Sequence, residues 1–97
     1  MEFIKGYYVT AEIHVKDVSK IEKTKKELNI LQEKSIEEIG CTLFKVHQSN
    51  ADESTFILWE RFENEASFKI HFEYEHTKNY VNQDLTEVVK FYQTDIL

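Results

Sequence analysis

Proline is absent from these 97 residues, glycine occurs only as Gly6 and Gly40, and cysteine only as Cys41. A chain without proline and nearly without glycine predicts long regular elements joined by short connections. Two such isolated glycines cannot build a phosphate-cradling loop, so neither G-x-G-x-x-G nor G-x-x-x-x-G-K-S/T can be written around them. One thiol excludes a disulfide framework and a paired-cysteine metal site. With no basic-then-apolar leader at Met1-Glu-Phe-Ile-Lys-Gly-Tyr-Tyr8, the expected compartment is the cytoplasm. No window approaches the ~20 apolar residues that a membrane span requires. Positive charge is also short: 12 basic residues stand against 18 acidic ones, for a net charge of −6. Phosphate recognition relies on clustered lysine and arginine, so nucleic acid is not an expected partner. The basic run from Lys16 to Lys26 is interleaved with acids, as on the solvated face of a helix. The length suits one small domain over residues 1–97.

What is present is strong alternation. Tyr7, Val9, Ala11, Ile13 and Val15 fall on one face of a strand over residues 5–16, with Tyr8, Thr10, Glu12 and His14 opposite. Asp17 or Ser19 is placed to cap a helix running to about Ile39, with an apolar stripe of Val18, Ile21, Leu28, Leu31, Ile36 and Ile39. Gly40 suits a left-handed helix end. A second strand is expected over 41–48 and a third over 55–62, joined as a hairpin by the polar Ser49–Ser54. Asn64 is the expected cap of a helix over 65–74, a short break leads to a further helical piece near 78–86, and residues 88–97 suit a last strand.

The order β-α-β-β-α-β is the ferredoxin-like, split βαβ arrangement of the α+β class. Helices on one face of a four-stranded antiparallel sheet leave its other face uncovered. Two sheets packed face to face cover both, so a homodimer is expected.

Phe68, His71 and Phe72 share one face of the second helix at i, i+3 and i+4, and charged Lys69, Glu65 and Glu73 lie opposite. The imidazole of His71 is therefore expected at the edge between helix and sheet. It is either a proton-handling group or a core-edge histidine bonded to the backbone. His76 follows five residues later and is expected to cap a helix end, to meet solvent, or to share the cleft. On a continuous helix that spacing separates the two rings by about 140°, which argues against a metal site made from them. Trp59 is expected in the core, where its ring also suits a flat aromatic ligand. Cys41 is expected as a small buried apolar residue with no role as a nucleophile. No serine sits on a nucleophile elbow.

Glu38-Ile-Gly-Cys41 resembles the E-P-G-C motif of the antibiotic biosynthesis monooxygenase family. Phe56-Ile-Leu-Trp-Glu-Arg-Phe62 looks like that family's F-V-L-Y-E-R-W strand, and the helix reaching His71 looks like its A-L-x-x-H helix. His76 falls at the second histidine of H-x-x-S-P-H-F. The resemblance implies a dimeric α/β-barrel and a pocket in which a quinol or polycyclic phenol is oxidised by O₂ without flavin, haem or metal. Carried over, it assigns His71 as the catalytic group and Trp59, Phe44, Phe68, His76 and Tyr80 as contacts to a small aromatic molecule. It pairs Glu60 with the family's strand-three glutamate. The chain departs at Ile39 and Glu75, where the family has prolines, and at Tyr74 and Thr77 around the second histidine. Haem-degrading relatives need an asparagine, a tryptophan and a histidine where Ile13, His71 and Val81 stand, so haem breakdown is not expected. The alternatives on the same scaffold are a small hydroxy-ketone isomerase and a non-enzymatic dimeric ligand-binding or stress-associated domain.

Overall fold

A computed structural model describes residues 2–97. Its elements are β1 (Tyr7–Val15), a 3₁₀ turn (Val18–Lys20), α1 (Ile21–Ser35), β2 (Cys41–Gln48), β3 (Thr55–Phe62), α2 (Glu65–His71), α3 (Glu75–Asn82) and β4 (Thr86–Thr94). The strands form one antiparallel sheet in the order β2-β3-β1-β4, the ferredoxin-like topology. Both internal strand boundaries predicted from alternation, 41–48 and 55–62, coincide with β2 and β3. The last strand starts earlier than expected, at Thr86, and carries a register shift opposite Glu12 and Ile13 of β1.

The inner face of the sheet and one side of α1 make the core, with Ala11, Ile13, Leu28, Leu31, Phe44, Phe56, Leu58 and Phe62 packed together. The predicted stripe of α1 is correct only in its middle. Leu28 and Leu31 are buried, whereas Val18, Ile36 and Ile39 are exposed, Ile39 to 92%. The helix stops at Ser35, so Ile36 and Ile39 leave the helical period, and the inward row is instead Thr24, Leu28, Leu31 and Ser35. That row repeats at 4, 3 and 4 residues, the period of one helical face. Thr24 satisfies its hydroxyl on the Lys20 carbonyl at 2.8 Å, while the Ser35 hydroxyl is buried without a partner.

Trp59 corrects a second expectation. It is 48% exposed and lies on the outer face, its ring tilted against His47 with ring centres 4.3 Å apart. Strand parity explains this: Phe56, Leu58, Glu60 and Phe62 point inward, so Trp59 points outward beside Arg61. Helices α1, α2 and α3 cover the inner face over β2, β3 and β1, and the inward residues Val88 and Phe91 of β4 remain exposed. Among the described residues no helix is long and apolar enough to cross a membrane.

Candidate functional site

The helix expected over 65–74 is shorter than that, and the further piece expected near 78–86 begins earlier, at Glu75. Asn64 caps α2 by accepting from the Ser67 amide at 2.9 Å, as expected, but α2 ends at His71. Tyr74, in extended conformation, starts α3 on a new course, and His76 is its second residue. The two histidines are therefore not 140° apart on one helix, the premise of the sequence argument. They converge on the same carboxylate oxygen: His71 Nδ1 lies 2.7 Å and His76 Nε2 2.6 Å from Glu38 Oε2. His76 is thus neither a helix cap nor a free surface ring.

Glu38 stands in the turn after α1, and Gly40 shapes that turn. The glycine has φ of 88°, a left-handed conformation that a side chain resists, and a Cβ there would strike the Ser67 side chain. The Cys41 amide donates to the Glu38 carbonyl at 3.1 Å, and the Glu63 amide to the Gly40 carbonyl at 2.8 Å. This stitching holds the start of β2 against the end of β3 and points the Glu38 carboxylate inward beneath α2.

Protonation follows from the hydrogen bonds. One oxygen facing two ring nitrogens is satisfied when Glu38 is ionised and both rings donate an N–H to it. His71 then carries its proton on Nδ1 and leaves Nε2 as an acceptor with no hydrogen-bond partner among the described residues. Burial depresses the basicity of His71, and the hydrogen bond and charge of Glu38 oppose that effect. At 4% exposure the ring is shielded from bulk water yet lines a cavity of about 410 Å³.

The cavity lies between the inner sheet face and helices α2 and α3, and it opens toward β4. Three of the expected contacts, Phe44, Phe68 and Tyr80, line it together with the expected catalytic group, His71. Trp59 does not, because it faces the other way, and His76 stands behind His71 on Glu38. Phe44 and Phe62 pack against the His71 ring at 5.4 and 5.6 Å between centres. The Tyr80 hydroxyl is engaged with Thr86 Oγ1 at 2.8 Å. Cys41 is buried and burial pushes its thiol up to about 12, so it fits the expected inert role.

Two carboxylates were not singled out as site residues in the sequence reading. Glu60 sits mid-β3 opposite Val9 and Phe44, is 7% exposed, and lines the cavity. Its inward parity with Leu58 and Phe62 was the available signal. Glu38 had no signal but its place in the Glu38-Ile-Gly-Cys41 motif, since three elements must fold before its partners meet.

Glu38, His71 and His76 are also the set that would hold a metal, with ligand atoms within 4.8 Å of one another. Around a tetrahedral zinc, neighbouring ligand atoms stand about 3.3 Å apart. The contacts at 2.6 and 2.7 Å are those of hydrogen bonds, so an ion would have to part both rings from the oxygen they share.

A family model described as antibiotic biosynthesis monooxygenase matches residues 6–83. The uncharacterized protein YjcS of Bacillus subtilis (strain 168) is 35% identical over 85 residues, spanning 88% of this chain and 81% of that protein. A solved structure of protein YjcS has a TM-score of 0.86 at 32% identity, covering 94% of this chain and 98% of the other. PA3566 from Pseudomonas aeruginosa matches with a TM-score of 0.87 at 25% identity, covering 100% of this chain and 99% of the other. A crystal structure of an antibiotic biosynthesis monooxygenase, 20% identical over 94% of this chain and 98% of its own, shares the fold with a TM-score of 0.84. By the extent of the family match and the identity to YjcS, this chain belongs to the antibiotic biosynthesis monooxygenase family.

Proposed function

We propose that this protein oxidises an electron-rich phenol or quinol with O₂ in the cavity beneath α2 and α3, using no flavin, haem or metal. The observation that carries the reading is the buried Glu38–His71 pair, with the free His71 Nε2 on a largely apolar cavity. Family membership supports it. The substrate hydroxyl donates to Nε2, and His71 takes the proton as the phenolate forms. Glu38 holds the ring in the tautomer that can accept, and its charge stabilises the resulting imidazolium. The phenolate passes an electron to O₂, and the pair joins in a C–O bond. One oxygen atom stays in the quinone and the other leaves as water with the two hydrogens the substrate gives up. For a simple phenol the balance is phenol plus O₂ to quinone plus water. The apolar walls of Phe44, Phe68 and Phe72 keep bulk water from the charged intermediates.

The working unit in this reading is a homodimer and a single domain occupies the chain. Phe3, Trp59 and Tyr92 are exposed on or beside the outer sheet face, where a second copy would cover them. Oxygen uptake with a menadiol-type quinol tests the activity. Wild type should exceed autoxidation, and His71→Ala should abolish the excess while circular dichroism stays unchanged. No excess across several quinols would end the oxygenase reading. The isomerase alternative gains from one observation, a base and a buried carboxyl in the same cavity; turnover of a hydroxy-ketone under argon would select it.

A further inference from the structure

Glu60 is the polar group of the cavity that has nothing to do. Its carboxyl is buried on the sheet floor between Val9 and Phe44, both apolar, and no hydrogen bond reaches it among the described residues. It shares the inward face of β3 with Leu58 and lines the cavity. The neighbouring Arg61 offers no relief, because its guanidinium lies on the other face, bonded to Thr42, Glu63 and the Lys5 carbonyl. A buried polar group without a partner is costly, and in a binding cavity the missing partner is supplied by the ligand.

We infer that Glu60 is a second anchor in the cavity, hydrogen-bonding a second oxygen of the ligand besides the one held by His71. The inference rests on the reading of this cavity as the site of an aromatic phenol or quinol, and it narrows that class. The ligand is a planar aromatic with two oxygens, one hydroxyl donating to His71 Nε2 and the other oxygen meeting Glu60. His71 stands on the helix side of the cavity and Glu60 on the sheet side, so one ligand meets both through two separate oxygens, as a quinol can.

Charge supports the same class. The polar side chains that share the cavity lining with Glu60 are His71, Thr77, Tyr80, Asp84 and Thr86, the Glu38 charge acts on Glu60 from the turn after α1, and among the described residues no lysine or arginine lines the cavity. A phosphate or carboxylate ligand would meet acids with no cation to balance it. Desolvation first and the Glu38 charge second push Glu60 up to about 8, so at neutral pH it is a carboxylic acid. That acid donates to a ligand oxygen, while His71 accepts.

Calorimetric titration under argon, where no oxidation occurs, tests the assignment with 1,4-dihydroxynaphthalene and 1-naphthol. The readout is the ratio of the two affinities in wild type, Glu60→Gln and Glu60→Met, with thermal melts to show that each variant is folded. The ratio should favour the diol in wild type and in Glu60→Gln, whose amide still offers a donor and an acceptor. In Glu60→Met it should fall about tenfold, the loss of one buried hydrogen bond. A wild-type ratio retained in Glu60→Met overturns the inference, as does failure of the diol to bind wild type. The two readings separate cleanly: a Glu60-dependent ratio without oxygen uptake sinks the oxygenase alone, and oxygen uptake with an unchanged ratio in Glu60→Met sinks the second anchor alone.

Discussion

At the scale of single residues, the site is an argument about three titratable side chains in a dry space. Glu38 orients His71, and burial of the ring is what makes that orientation necessary. Replacing Glu38 by Gln removes the charge that holds the His71 basicity up against desolvation. The acid limb of the kcat/KM profile should therefore move to lower pH, and kcat should fall by roughly ten- to a hundredfold as the accepting tautomer is lost. A profile that keeps the wild-type limb would show that Glu38 does not act on the base. Glu60 makes a separate prediction about stability. Its carboxyl is raised in the folded state from 4.5 to about 8, so between those values the folded chain holds a proton that the unfolded chain has lost. Stability contributed at this position is then full below the lower value and falls as pH rises through the window. Glu60→Gln should flatten that fall and be more stable than wild type at pH 8 by a few kcal/mol. Denaturant melts across the window check this, and parallel wild-type and variant curves would contradict it.

Elements decide which of these residues meet. Strand residues were legible in the sequence because period-two alternation runs through β1 and β3 and through β2 beyond its register shift between Cys41 and Leu43, and parity places Phe44 and Glu60 inside. The same parity places Trp59 outside, and the expectation of a core tryptophan erred by weighing residue type above face. The break between α2 and α3 was not legible in full. Neither proline nor glycine marks it, and the redirection occurs through the extended backbone of Tyr74. Only tertiary contact with Glu38 shows that His71 and His76 work on one acceptor. The turn that presents Glu38 depends on Gly40, so Gly40→Ala should cost about 1–3 kcal/mol from its left-handed backbone and the clash with Ser67. Because the strain falls on the Glu38 turn, kcat should drop in the fraction that remains folded. An active, fully stable Gly40→Ala protein would show that the turn does not hold the site.

For the whole molecule, the order of elements specified the ferredoxin-like sheet before any contact was known, since β-α-β-β-α-β with short links leaves few other topologies. What a single chain does not provide is cover for its outer face and for β4, where Trp59, Tyr92, Val88 and Phe91 stand exposed. Assembly predicts that sedimentation at micromolar concentration returns twice the mass of one chain. Trp59→Glu, which sets a charge among those apolar groups, should shift the protein toward the single-chain mass. A wild-type monomer at that concentration would contradict the face-to-face pairing. The central claim is that His71, aimed into the cavity by Glu38, takes the proton that commits an aromatic substrate to O₂. Its most direct test is oxygen consumption with a naphthoquinol, wild type against His71→Ala at equal foldedness. The account predicts a rate above autoxidation that falls by about a hundredfold or more in the variant. Equal rates in the two proteins, or none above autoxidation in wild type, would contradict it.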